Sequence, residues 1–257
     1  MALDATDKAC RAVGAGAVDV VVDDIADSGG AARIVARTLD LHGSIDIVVH
    51  SATVLGYGTV ESMPAEVFNT VVDTAIHGTL HLAQAVLPVL RRQRRGVFIA
   101  VNSLLGSITV PQMGAYSTAK WGQRAVLRTL QQETRDERRV HVCIVSPGSV
   151  NTPVYDQAAN YTGRGTATDP VLSPDRVAAA IVRLADRPRR HVSVPVGPAN
   201  PLIISAFRCL PSLYDRLVGP LFRLAALTRK TVSPNPGNVF KPVAAGERAF
   251  GRWPVKR

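Results

Sequence analysis

Long hydrophobic runs, clustered cysteines and an apolar leader are all missing from this 257-residue sequence. Each absence excludes something. Hydrophobic residues make up 46% of the chain and mean hydropathy is +0.11. Even so, no apolar stretch approaches the roughly 18 residues of a membrane span. The opening "MALDATDKACRAVGAG" has no apolar h-region and is not read as a secretory signal. Cys10, Cys143 and Cys209 stand apart, without metal-ligand spacing or an even count, which fits reduced thiols in a cytoplasmic protein. No GxSxG elbow is present.

Charge is also sparse, at 19% of residues, but it is unbalanced: the net charge is +10. Much of the excess lies at the C-terminal end. There Arg229, Lys230, Lys241, Arg248, Arg252, Lys256 and Arg257 face Glu247 alone. The clusters "RRQRR" (91–95) and "RPRR" (187–190) read as helix C-termini and loops, where cations complement the helix dipole. Neither aromatic interleaving nor zinc-finger spacing accompanies them, so nucleic acid is not an expected partner.

What the chain has is alternation. "VDVVVDDI" (18–25), "IDIVVHSA" (45–52), "GVFIAVNS" (96–103), "VHVCIVSP" (140–147) and "HVSVPVG" (191–197) read as strands. Between them lie helical patterns. One closes at Gly43, a long one follows Pro64 with Phe68, Val71, Val72, Ala75, Leu82, Val86 and Leu90 near one face, and one starts at a Ser173 N-cap. Continuous β-branched strands separated by helices imply a doubly wound, Rossmann-like α/β domain with a parallel sheet, expected over 1–198. Residues 199–227 are apolar, punctuated by Pro201, Pro211 and Pro220 and interrupted by Arg208, Arg216 and Arg223. They read either as short helices roofing a pocket or as a surface helix touching lipid. Residues 228–257 read as a loosely held basic arm.

The chemistry concentrates in "SLLGSITVPQMGAYSTAKWGQRAV" (103–126). Tyr116 and Lys120, four apart, share a helical face. A phenol titrates near pH 10, and an adjacent ammonium favours the phenolate, which makes a general acid/base for a carbonyl or alcohol oxygen. Ser103, at a strand's C-terminal end, can hydrogen-bond the same oxygen. Asp73, His77 and His81 share a helical face too, but one helix is a poor metal cage, and they read as a solvated or subunit-contact face. Asp169 and the acidic residues of "RDERR" form no paired-carboxylate site, and no metal is expected.

Over residues 2–197 the sequence resembles the short-chain dehydrogenase/reductase family, through "NSLLGS…AYSTAK" and "SPGSVNTP" (146–153). The resemblance implies hydride transfer between a nicotinamide and a carbonyl or alcohol carbon. The cofactor would be NAD or NADP, NADP slightly favoured, and the substrate a lipophilic ketone or alcohol. Tyr116 would be the proton donor or acceptor, Lys120 its tuner and a ribose ligand, and Ser103 the substrate's orienter. Asp24 would approach the adenine. Ala52, Pro147, Gly148, Val150 (through its backbone) and Thr152 would complete the cofactor site. A homo-oligomer in the cytoplasm, with peripheral membrane contact through 199–257, is the expected setting. A non-catalytic relative or an inactive truncated product is the alternative.

Three departures from the family pattern stand out. His50 of "HSAT" replaces an amide that normally ties the sheet together. Ala75 stands at the position of an asparagine that helps hold a proton-relay water near the lysine. The glycine-rich turn that meets a dinucleotide's pyrophosphate is missing, since "GAGAV" (14–18) precedes a strand instead of following one. Residues 2–13 resemble the end of the family's second helix, so the first βαβ unit is read as missing from a truncated gene model of a working enzyme, in preference to a true deletion. Weak or absent NAD(P) binding by the chain as written is the consequence, together with a raw edge on the strand at 45–52.

Overall fold

The computed structural model describes residues 2–167, 171–188, 193–243, 248 and 250–253. Asp169, weighed above as an acid, lies outside them, as do the first two residues of the strand expected at 191–197.

Helix α1 (Ala2–Ala12) is mostly exposed and leads into an irregular extended segment. Helix α2 (Gly30–His42) ends at Gly43, whose φ of 72° is the left-handed value that a residue with Cβ resists; its N–H donates to Leu39 O. Then come β1 (Ile47–His50), the short β2 (Gly56–Tyr57) and the long α3 (Ala65–Gln93). Strand β3 (Gly96–Val101), α4 (Gly114–Glu133) and β4 (Val140–Pro147) follow. Next are β5 (Ala159–Asn160), β6 (Arg164–Thr166), α5 (Pro174–Asp186) and β7 (Ser193–Val196). Helices α6 (Asn200–Cys209) and α7 (Pro211–Ala226) run into β8 (Leu227–Thr231).

The main sheet has the order β1-β3-β4-β7, and every pairing is parallel. Strand β3 is buried along nearly its whole length, as a parallel strand covered on both faces must be. Period-two alternation sorts its side chains. Phe98 and Ala100, with Val142 and Ile144 of β4, pack against Ala31, Val35, Val86, Leu90 and Leu127 of α2, α3 and α4. Val97 and Ile99, with Cys143 and Val145, pack against Val177, Ala180 and Leu184 of α5. A side chain at Gly122 would meet Ile76 Cδ1 at 2.2 Å, so glycine there lets α4 lie close to α3.

The strand expected at 18–25 does not form. A strand needs a partner's amides and carbonyls, and the outer edge of β1 pairs with no strand among the described residues. The segment is held by side chains instead. Arg11 donates to Val18 O at 2.6 Å, Asp19 lies 3.2 Å from His42, and Asp23 takes two hydrogen bonds from Arg33. Val22 is left 82% exposed.

The C-terminal stretch is better anchored than its composition implies. Strand β8 pairs antiparallel with β6, and Asn235 exchanges backbone hydrogen bonds with Asn160. Val239 packs among Met63, Val67 and Ala159. Arg248 and Arg252 both reach Asp156, and the N–H groups of Gly251 and Trp253 donate to Asn151.

Candidate active site

The C-terminal ends of β3 and β4 open into one cavity of about 1140 Å³, the place where ligands meet open parallel sheets. Past β3, Asn102 and Ser103 lead into a single 3₁₀ turn, Leu104–Gly106, which the Ser103 hydroxyl caps by accepting from Leu105 N at 3.2 Å. Helix α4 starts at Gly114, which puts Tyr116 in its first turn and Lys120 one turn on. The Lys120 ammonium lies 5.6 Å from the centre of the Tyr116 ring.

Ser103, Tyr116, Lys120, Pro147, Gly148, Val150 and Thr152 all line the cavity. Asp24 and Ala52 do not. Asp24 is exposed, and its carboxylate accepts from Ala26 N; Ala52 is exposed, whereas its neighbours Ser51 and Thr53 reach the cavity wall. The Val150 N–H, expected to meet a carboxamide, donates to the Tyr155 hydroxyl at 3.2 Å.

Electrostatics here follow from enclosure. Burial pulls the Lys120 ammonium down to about 7, because an ion in a dry wall loses its hydration. Burial pushes the Tyr116 phenol above its ordinary range, and Tyr155 adds to this, while the Ser103 hydrogen bond pulls the other way. The lowering expected from the ammonium neighbour is not among the effects acting on the phenol, and burial dominates. His50 is held neutral, its titration lowered to about 4 by burial and by the charge of Lys120. It bonds through Nε2 to Thr79 Oγ1 at 2.9 Å, which ties the end of β1 to α3.

Two groups of residues escape the motif. One is polar and buried: Gln123 meets the lysine and Thr79 meets Gln123, and both join Asn102 of the motif in one net. Gln123 sits three residues after Lys120 and Thr79 four after Ala75, spacings that put each pair on one helical face. The other is the roof, where Leu210, between α6 and α7, and Leu213, Leu217 and Leu221 of α7 close the cavity. Asp73 and His77 make a surface pair at 2.9 Å, and His77 stacks on His81.

The residues present fit one end of a nicotinamide dinucleotide. A buried ammonium, a serine hydroxyl and Thr152 on one wall suit a ribose and a carboxamide. For the pyrophosphate, the described residues offer no glycine-rich turn between a strand and a helix.

Comparison with known proteins agrees with this geometry. The short chain dehydrogenase family model matches residues 2–161. Dehydrogenase/reductase SDR family member 7B of Bos taurus is 27% identical over 203 residues, which is 77% of this chain and 62% of that protein. The chain thus spans less than two thirds of that relative's length. Sepiapterin reductase of Chlorobaculum tepidum is 27% identical over 183 residues, covering 71% of this chain and 72% of that one. Among solved structures, a Burkholderia phymatum short-chain dehydrogenase/reductase in complex with NAD superposes with a TM-score of 0.70 at 18% identity, over 82% of each chain. A metagenomic short-chain oxidoreductase in complex with NADP gives 0.62 at 24% identity, over 76% of this chain and 81% of that one. The parallel sheet, the cavity at its C-terminal edge and the family match lead to one conclusion: the chain belongs to the short-chain dehydrogenase/reductase family of oxidoreductases.

Proposed function

We propose that the chain interconverts a lipophilic ketone and its alcohol with NAD or NADP, using Tyr116 as general acid/base. The observation that carries this is the convergence of Ser103, Tyr116 and Lys120 on one cavity whose remaining wall is mostly apolar. A bound nicotinamide supplies or accepts the hydride. The chain's own residues do the rest. Ser103 donates a hydrogen bond to the substrate oxygen and turns it toward Tyr116, whose hydroxyl gives that oxygen a proton in reduction and whose phenolate takes one from the alcohol in oxidation. The Lys120 ammonium stabilises the phenolate left behind. Leu105, Ile108 and Val110 of the floor and the leucines of α6 and α7 exclude water and favour an apolar substrate body.

Pro147, Gly148, Val150 and Thr152 are assigned to the nicotinamide end, and Asp24 and Ala52 to the adenosine side. NADP is favoured slightly over NAD. Peripheral contact with an anionic bilayer belongs to the same reading. Leu202, Leu210, Leu213, Leu217, Leu221 and Leu224 of the roof are exposed, with Arg208, Arg216 and Arg223 among them. The cytoplasm and a homo-oligomer remain the proposed setting. No helix among the described residues is long and apolar enough to cross a membrane.

A second reading, a non-catalytic binding protein, is favoured by Ala75 and by the lack of a pyrophosphate turn among the described residues. One experiment separates the two. The protein is incubated with millimolar NADPH or NADH and a panel of apolar ketones, and cofactor absorbance is followed. Turnover by the native chain, lost in Tyr116→Phe, supports the enzyme; no turnover with saturable ketone binding supports the binding protein. Co-sedimentation with anionic vesicles at low salt tests the membrane contact, and a chain that stays in the supernatant contradicts it.

A further inference from the structure

The polar partner that Ala75 cannot supply is present on the other helix. Lys120 is 1% exposed, and its ammonium has two protein acceptors: Val101 O at 3.2 Å and Gln123 Oε1 at 3.1 Å. Gln123, also fully buried, is fixed at both ends. Its Oε1 accepts a second bond from Asn102 Nδ2 at 2.9 Å, and its Nε2 donates to Thr79 Oγ1 at 3.0 Å. Reversing the amide would aim its NH₂ at an ammonium and at another NH₂, so the network permits one orientation.

Donor and acceptor roles continue outward without ambiguity. The Thr79 hydroxyl has one proton and gives it to Ala75 O at 2.6 Å, the very residue where the asparagine is missing. Thr79 Oγ1 therefore accepts from both neighbours, which requires His50 to carry a proton on Nε2. Asn102 ties the same bracket to the substrate side. Its Nδ2 also donates to Lys120 O at 2.9 Å, and its Oδ1 accepts from Ser103 N at 2.8 Å.

We infer that Gln123, braced by Thr79 and His50, is the positioning residue for Lys120, replacing from α4 the support that Ala75 of α3 cannot give. The inference rests on the proposed acid/base role of the Tyr116–Lys120 pair. Gln123 positions and does not relay, because an amide holds its protons and passes none on. Two of the three ammonium protons are committed to Val101 and Gln123, which leaves one for the cavity side. The titratable groups facing the ammonium are Tyr116, from its own helix, and His50, from β1.

Direct observation of Lys120 makes the test independent of turnover. The lysines are Lys8, Lys120, Lys230, Lys241 and Lys256, few enough for ¹⁵Nζ-lysine NMR of the full chain, with Lys120 assigned by its loss in Lys120→Arg. In Gln123→Leu the ammonium loses one of its two acceptors, and its titration midpoint should fall by on the order of one pH unit. In Gln123→Glu it gains a carboxylate, and the midpoint should rise by about as much or more. Thr79→Val, which frees the far end of the amide, should shift it slightly in the Gln123→Leu direction. If Gln123→Leu does not fold, Gln123→Glu against the native chain decides. Unmoved Lys120 midpoints in the folded variants overturn the inference, even if their melting temperatures drop. In a turnover assay Gln123→Leu should lower kcat about tenfold with KM little changed, and Gln123→Glu should retain most of kcat. If the native chain reduces no ketone, the oxidoreductase reading fails while the Lys120 titration still judges the bracket.

Discussion

Two walls of the same cavity are built differently. On the floor, Ser103 and Lys120 are buried, and both belong to a hydrogen-bonded net with Asn102, Gln123, Thr79 and His50. On the roof, no residue of α7 is fully buried, and the polar anchors are few: the Tyr214 hydroxyl donates to Thr109 O at 2.9 Å, and the Ala167 N–H donates to Ala226 O at the helix's end. An aromatic cluster adds to them: Phe207 meets Tyr214 edge-on at 5.1 Å and lies 6.2 Å from Trp121. The floor holds a few atoms in fixed relation, as proton transfer requires. The roof offers greasy area with little ordering, which suits admission of an apolar substrate and costs little to open.

The contrast can be broken in graded ways. The largest effect should come from the sheet beneath the floor, where Phe98 is fully buried. Phe98→Ala should cost about 3–5 kcal/mol in urea unfolding, and a loss below roughly 1 kcal/mol would refute a rigid floor. Next is acid. His50 titrates near 4 when folded, lowered from 6.5. As pH falls the unfolded chain takes this proton first, so stability should drop between pH 6.5 and 4, by about 3 kcal/mol in the limit. His50→Asn should flatten that part of the pH dependence, and parallel curves for the two proteins would contradict it.

Smaller effects belong to the roof and the cofactor end. Replacing Leu213 and Leu217 together by serine should raise KM for an apolar ketone about tenfold while leaving the urea midpoint nearly unchanged. A collapsed midpoint would mean the roof is structural. Tyr155→Phe should tighten NAD(P)H binding roughly fivefold, because it frees the Val150 N–H at the cost of one neutral hydrogen bond; weaker binding would show that Tyr155 itself touches the cofactor. The smallest change should be Leu224→Ala, a residue 84% exposed, with stability within about 0.5 kcal/mol.

The floor was far more legible in the sequence than its surroundings. Strands at 96–101 and 140–147 announce themselves as largely apolar runs rich in valine and isoleucine because both faces are covered, and Tyr116 with Lys120 declares itself by helical spacing. "VDVVVDDI" is also rich in valine yet forms no strand, since pairing depends on a neighbour that composition cannot reveal. Gln123 and Thr79 were invisible for a related reason. Isolated polar residues on amphipathic helices look solvated until the packing of α3 against α4 buries them face to face. The basic C-terminal segment looked loose for want of periodicity, yet β8 and the backbone of Asn235 stitch it to 151–166 through main-chain bonds that side-chain patterns do not encode.

Transfer of a labelled hydride tests the central claim most directly. The chain is given an apolar ketone and an excess of NADPH or NADH carrying deuterium at both C4 positions, and the alcohol is examined by mass spectrometry. One deuterium on the carbinol carbon, with product formation lost in Tyr116→Phe, is the expected result. Alcohol free of deuterium, or equal product from Tyr116→Phe, would contradict it.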